Sequence, residues 1–167
     1  MSALPTVRAA TREDRAAIAA IYNAALAERA STFETRPRTP EDIDGWLGKR
    51  HPVLVAEEDG RVIAYASTGA YSPRECYAGI ADFSVYVAPE ARGRDVGRHV
   101  MEALLREAEA AGFHKLTSRV FATNLRSRAL LKRLGFREVG VHEKHAPLDG
   151  VWHDVVVVEK VLHANVR

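Results

Sequence analysis

The residues with the clearest chemical potential in this 167-residue chain stand between Asp82 and Val100. A run of small and basic residues, Ala91-Arg92-Gly93-Arg94-Asp95-Val96-Gly97-Arg98, joins an alternating segment to an amphipathic one. A loop of this kind opening a helix leaves several backbone N–H groups without intrahelical partners at the positive end of the helix dipole, which suits a phosphate or pyrophosphate. It is not a P-loop, because no Lys-Ser or Lys-Thr follows at the required spacing, and the dinucleotide pattern Gly-x-Gly-x-x-Gly is absent. On the loop alone, an anion site and an ordinary glycine turn with solvated arginines both stand. Upstream, Asp82, Ser84 and Tyr86 fall on one face of an alternating run and Ala81, Phe83, Val85 and Val87 on the other. The carboxylate on the polar face is either a proton acceptor or simply solvated. His142, Lys144, His145 and His153 invite a metal reading, but their spacing is not that of a known zinc motif, and no metal is expected.

Elements must hold these residues in place, and the pattern supplies them in the order β α α β β β α β α β β. Thr11 with Asp14 reads as a capping box before a helix whose inner face is Ile18, Ile21, Tyr22 and Ala25. Thr39-Pro40-Glu41-Asp42 starts a second, short helix running towards Lys49. Pro52–Ala56 and Val62–Ser67 read as a hairpin around Asp59-Gly60, and Ile80–Val87 is the strand with the polar face. Val96, Val100, Leu104 and Ala108 mark a helix stopped at Gly112. Leu116–Phe121 is a strand and Asn124–Leu134 a helix, and a last hairpin turns at Asp149-Gly150. Hairpins dominate, so a mixed, mostly antiparallel sheet flanked by helices is the physical expectation.

Composition narrows the function classes. Length and a 47% hydrophobic content predict one domain over residues 1–167, with a core of about residues 6–163. Lys plus Arg (24) and Asp plus Glu (22) nearly cancel, and no basic and aromatic stripe occurs, so neither nucleic acid nor an anionic membrane is the expected partner. No run of about 18 apolar residues predicts a membrane span, and nothing at the N-terminus reads as a signal peptide. With Cys76 as the only cysteine, the cytoplasm is the expected compartment and a small molecule the expected partner.

The segment Arg92-x-x-Asp95-x-Gly97 resembles the Arg/Gln-x-x-Gly-x-Gly/Ala pyrophosphate loop of GNAT acyltransferases, and Asn124 and Leu134-Gly135-Phe136 resemble their downstream landmarks. More specifically, Ile21-Tyr22-Asn23, Thr32-Phe33-Glu34, Pro37-x-Thr39, Arg74-x-x-Tyr77, Ser84-Val85-Tyr86-Val87 and Trp152-x-Asp154 are similar to the patterns of phosphinothricin and arsinothricin N-acetyltransferases. The resemblance spans nearly the whole chain. It implies the GNAT fold, an α/β (α+β) domain with about seven strands and four helices, an acetyl-CoA donor and a homodimer.

The resemblance also distributes roles. Asp82, where the family usually carries Glu, becomes the base that takes the amine proton, directly or through water. The backbone N–H groups of Val85 and Val87 face the acyl donor, whose pantetheine arm adds along this strand, and Val85 serves the developing oxyanion. Arg92, Gly93, Arg94, Asp95, Val96, Gly97 and Arg98 hold the pyrophosphate, and Asn124 completes the cofactor site. Arg74 holds the anionic group of the acceptor through its planar fork, with Phe33, Tyr77 and Ser84 around it. Three positions depart from the family: Asp82, Asp95 in place of the usual glycine, and Leu131 where Tyr or His commonly acts as general acid. No general acid is therefore assigned, and a thiolate with a pKa of roughly 8.5 can leave without one. The competing readings are a GNAT enzyme for another amino acid or a peptide N-terminus, and a non-catalytic acyl-CoA-binding module.

Overall fold

The computed structural model describes residues 4–167. Its elements follow the expected order: β1 (Thr6–Ala9), α1 (Arg15–Glu28), α2 (Pro40–Ile43), β2 (Val53–Glu58), β3 (Arg61–Ala70), β4 (Ile80–Val87), α3 (Val96–Ala110), β5 (Lys115–Phe121), α4 (Leu125–Arg133), β6 (Arg137–Leu148) and β7 (Val151–Val161). The strands form one sheet in the order β1-β2-β3-β4-β5-β7-β6. Every pair is antiparallel except β4 with β5, which the α3 crossover makes parallel. Both Asp-Gly hairpins turn as their sequence predicts: Asp59 and Gly60 have φ of 52° and 76°, and Asp149 and Gly150 have 51° and 79°. Two consecutive left-handed residues match the twist of the flanking strands.

The helices cover both faces of the sheet. Tyr86 of β4 meets Tyr22 of α1 at 5.8 Å between ring centroids, so α1 lies over the face that carries Tyr86, Ser84 and Asp82. Alternation sends Val87 to the opposite side, where Gly97 of α3 and Leu130 of α4 lie close to it. Ile18, Ile21, Tyr22 and Ala25 are buried beneath α1, and Val96, Val100, Leu104 and Ala108 beneath α3, the stripes that the spacing predicts.

The start of α1 is fastened by Asp14, which is buried and accepts from the Thr11 N–H at 2.7 Å and from both terminal nitrogens of Arg8 at 2.7 and 2.9 Å. Those donors hold its carboxyl below the usual range. The second helix is shorter than expected. It ends as α-helix at Ile43 and gives one 3₁₀ turn, Asp44–Trp46. Gly45 weakens the helix there, and Gly48, at φ 70°, turns the chain away before Lys49.

Candidate active site

The parallel pairing of β4 and β5 lasts three residues, Ile80↔Lys115, Ala81↔Leu116 and Asp82↔Thr117, and then stops. From that vertex the strands diverge, with Ser118 Oγ bridging to the Phe83 carbonyl at 2.9 Å as the last link. The direction of the unpaired backbone groups follows from the other edge of β4. Ala88 donates its N–H to Ile63 of the neighbouring chain segment, so residues 86 and 84 of β4 also bond towards β3. Odd-numbered residues then point the other way, as Phe83 does towards Ser118, and the N–H groups of Val85 and Val87 face the gap. Polar main-chain groups in that position require a partner.

The gap opens into a cleft of about 890 Å³, walled by Phe83–Val87 of β4, Ser118–Val120 of β5, the turn before α3 and the first turns of α4. Arg92, Gly93, Asp95, Val96, Gly97, Arg98, Asn124, Ser84, Val85 and Val87 all line it. Arg94 sits in the same turn. The N-terminus of the 15-residue α3 points its free amides here, with Gly93 at φ 79° shaping the turn. Gly97 is needed for close approach, because a Cβ there would come within 3.3 Å of Leu130 Cδ2 and 3.5 Å of Val87 Cγ2.

Asp95 takes the left-handed conformation, φ 60° and ψ 19°, that a glycine would hold without strain. Its side chain makes no capping bond to α3 and instead pairs with Arg98 at 3.3 Å. The arginines of the turn are also engaged: Arg92 grips Glu28 of α1 with two nitrogens, and Arg94 grips Glu58 of β2 at 3.1 and 3.2 Å. Arg92 holds the Glu28 carboxyl below its ordinary pKa. Asn124 caps α4 by accepting from the Ser127 N–H at 3.3 Å. Leu131 is buried and forms part of the cleft wall. Together these residues offer main-chain donors, a helix N-terminus and guanidinium groups along one continuous groove, a fit for a long thiol ester ending in a pyrophosphate.

Asp82 stands at the vertex, on the α1 side, one residue before the cleft wall begins. Its side chain is 31% exposed, with Oδ1 buried and without a hydrogen-bond partner among the described residues. Oδ2 lies 3.5 Å from Nη2 of Arg119. Burial pushes the Asp82 carboxyl above its ordinary pKa, and Arg119 pulls against that shift without cancelling it. A half-buried carboxylate with a raised pKa can accept a proton from an amine or a bridging water.

Arg119 is a cleft residue that reading the sequence does not find. Nothing local distinguishes it from other surface arginines. The signal is non-local: Asp82 pairs with Thr117, and residues two apart on a strand share a face.

The expected acceptor residues are not gathered in the same way. Arg74 and Tyr77 are exposed on the turn that leads into β4, with the guanidinium carbon 5.5 Å from the Tyr77 ring centroid and Tyr71 edge-on to that ring at 5.9 Å. They do not line the cleft. Phe33, from the loop after α1, packs on Phe121 at 4.6 Å between centroids. Phe121 shares a face of β5 with Arg119, so Phe33 covers the side of the sheet that bears Asp82. His153 stacks on Phe121 at 4.5 Å, and His142 stacks on His145 at 4.5 Å. These histidines lie in aromatic contacts, and among the described residues no group of three or more His, Cys, Asp or Glu is gathered to hold a metal. No described helix is long and apolar enough to cross a membrane.

Comparison with known proteins matches residues 18–136 to the family described as Acetyltransferase (GNAT) family. A phosphinothricin N-acetyltransferase of Alcaligenes faecalis is 33% identical, over 96% of this chain and 84% of that one. The crystal structure of a ribosomal-protein-alanine N-acetyltransferase from Brucella melitensis superposes with a TM-score of 0.89 at 35% identity, covering 94% and 99% of the two chains. That of a GNAT superfamily phosphinothricin acetyltransferase from Sinorhizobium meliloti, in complex with acetyl-CoA, gives a TM-score of 0.90 at 27% identity, covering 96% and 89%. The matched region contains the splayed strands, the glycine turn and α3, which is the part of the molecule that forms the cleft. With that agreement of sequence, fold and cleft, the chain belongs to the GNAT acetyltransferase family and is an enzyme that uses acetyl-CoA as its acyl donor.

Proposed function

We propose that this enzyme, acting as one catalytic domain, transfers the acetyl group to the α-amine of a small anionic amino acid of the glutamate-analogue type, such as phosphinothricin, arsinothricin or methionine sulfoximine, and thereby confers resistance to it. Transfer is direct, within a ternary complex. The observation that carries the reading is the half-buried Asp82 carboxylate at the vertex of a splayed pair of strands whose gap-facing amides lie next to it.

When bound, acetyl-CoA supplies the thioester carbonyl as the electrophile. Asp82 takes the proton of the acceptor's ammonium group, through one water where the side chain, a methylene shorter than Glu, does not reach. The Val85 N–H donates to the negative charge that develops on the carbonyl oxygen, and the Val87 N–H holds the pantetheine amides in strand register. The amides from Arg92 to Arg98 and the α3 N-terminus bind the pyrophosphate, and Asn124 orders the wall opposite. Arg74 takes the anionic side-chain group of the acceptor, beside Tyr77, Phe33 and Ser84. The likeness to phosphinothricin N-acetyltransferases over nearly the whole chain supports this acceptor class.

A cytoplasmic homodimer belongs to the same proposal. Val139, Val141, Val151 and Trp152 are exposed on the last hairpin, an apolar surface of the kind that a second subunit covers. A second reading, acetylation of a peptide N-terminus, has the Brucella likeness in its favour.

Thiol release from acetyl-CoA tests the choice, with phosphinothricin, arsinothricin, methionine sulfoximine, glutamate and an alanyl peptide offered to wild type and Asp82→Ala at two pH values. Release that depends on one of the amino acids and collapses in the variant is the expected result. Release with the peptide alone would overturn the acceptor, and unchanged release in the variant would overturn the base.

A further inference from the structure

We infer that Arg119 binds the α-carboxylate of the acceptor, so that Asp82 and Arg119 together recognise the adjacent ammonium and carboxylate groups of a free amino acid. This rests on the acceptor class proposed above and names the part of the site that selects for it.

The position comes from the sheet. Thr117 and Asp82 are paired, and Arg119 follows two residues later on the same face of β5, where it lines the cleft just beyond the vertex. Half of its side chain is exposed, and among the described residues Asp82 is its only ion-pair partner, at 3.5 Å through a single nitrogen. That contact differs from the two-pronged arginine pairs of this chain. Arg92 with Glu28, Arg94 with Glu58 and Arg128 with Glu138 are each bidentate, two nitrogens to two oxygens. Other arginine pairs use one nitrogen, Arg15 with Asp44 at 2.8 Å and Arg137 with Glu159 at 2.7 Å among them, and the 3.5 Å contact of Arg119 is looser than these. Beyond its contact with Asp82, the Arg119 side chain makes no hydrogen bond among the described residues, and the rest of its N–H donors remain available in the cleft that it lines.

An α-amino acid carries its amine and carboxylate on one carbon. A proton acceptor and a loosely held guanidinium a few ångström apart therefore match both groups at once, the amine at the Asp82 carboxylate, directly or through water, and the acid across the fork. Neither residue alone sets that spacing. A peptide N-terminus, an ester or an amide presents a neutral group to Arg119 and leaves its charge uncompensated beside the substrate. The geometry thus selects free amino acids by their head, while the side-chain anion is left to another group.

The test compares L-phosphinothricin with its α-carboxamide as acceptors for wild type, Arg119→Gln and Arg119→Lys. Calorimetric titration of both compounds into the CoA-loaded protein supplies a readout independent of turnover. Wild type is expected to prefer the acid, and in Arg119→Gln the acceptor KM and Kd for the acid rise about 10- to 100-fold, the scale of a lost charge-assisted pair. The loss falls on the acid alone, so the preference disappears, the KM for acetyl-CoA does not move, and Arg119→Lys restores part of the affinity. A loss shared equally by acid and carboxamide would mean that Arg119 acts only through Asp82, and a rise confined to the acetyl-CoA KM would place it on the donor; either overturns the inference. If the acid is acetylated and its preference survives in Arg119→Gln, the inference fails and the acceptor class stands. If wild type neither binds nor acetylates the free acid but acetylates an alanyl peptide, both fail.

Discussion

At the mouth of the cleft, the groups that face inward are mostly main chain: the N–H groups of Val85 and Val87 and the amides at the start of α3. At the vertex and beyond it they are side chains, Asp82, Arg119 and Phe33, while Arg74 and Tyr77 stand exposed on the adjoining turn. The two ends answer differently to substitution. A site made of amides is set by the divergence of β4 from β5, so it accepts Asp at position 95 and Leu at position 131 without losing its shape. A site made of side chains depends on each one, and a change there alters what is bound or transferred. The end proposed for the donor is thus generic to the fold, and the end proposed for the acceptor is particular to this chain.

The largest effect is expected where the comparison is sharpest. Asp82→Ala leaves every amide of the proposed donor end in place and removes the proposed proton acceptor, so kcat/KM should fall by about 10²- to 10⁴-fold, the usual worth of a positioned base. Acetyl-CoA binding, measured by calorimetry, should be unchanged. A variant that lost affinity for acetyl-CoA instead would show that the two ends are not separable.

Next in size is a substitution at the donor end that blocks main chain rather than deleting a side chain. Gly97→Val puts a branched side chain where even a Cβ stands 3.3 Å from Leu130 and 3.5 Å from Val87. It must push α3 away from β4 and α4, and overpacking of this kind costs about 1–3 kcal/mol. The KM for acetyl-CoA should rise about tenfold or more, because each 1.4 kcal/mol is a factor of ten, with the acceptor KM little changed. An equal rise in both would break the division.

The same division governs what could be read without a structure. The proposed donor end is local in sequence: β4, the glycine turn and α3 are consecutive, alternation gives the faces of β4, and the loop composition offers an anion site as one of two readings. The two Asp-Gly hairpins are equally local, since the turn chemistry needs only two residues. The acceptor end depends on register between distant segments. Arg119 is next to Asp82 only because Asp82 pairs with Thr117, and Phe33 covers that face only through Phe121. The partners of Arg92 and Arg94, Glu28 and Glu58, come from α1 and β2, and no spacing rule connects them. His153, on the last hairpin, is half-buried against Phe121, a contact that no local spacing announces.

A smaller effect is expected from restoring the residue type that the donor turn favours. Asp95 holds a left-handed backbone, which costs an L-residue about 1 kcal/mol, and its carboxylate stands at the helix end proposed for the pyrophosphate. Asp95→Gly removes the strain and the negative charge and frees Arg98. Acetyl-CoA Kd should tighten by about three- to tenfold at low salt, with most of the gain lost near 1 M salt, where charges are screened beyond about 3 Å. A gain that persisted undiminished at high salt would assign the effect to the backbone alone.

The smallest effect concerns stability and separates the proposed role of Asp82 as proton acceptor from its cost as a half-buried charge. Its carboxyl has a pKa raised in the folded state, chiefly by burial, with Arg119 opposing. A carboxyl of this kind contributes stability below its unfolded pKa of about 3.9, and loses that contribution as pH rises through the higher folded value. At neutral pH the folded protein therefore carries a charge it would bind more easily in neutral form. Asp82→Asn, which cannot ionise, should melt on the order of 1–3 °C above wild type at pH 7, with the difference vanishing towards pH 4. The same variant should be as inactive as Asp82→Ala. Melting curves at pH 4 and pH 7 decide it: a variant less stable than wild type at pH 7 would mean that the attraction of Arg119 outweighs burial, and that Asp82 is held as a structural ion pair.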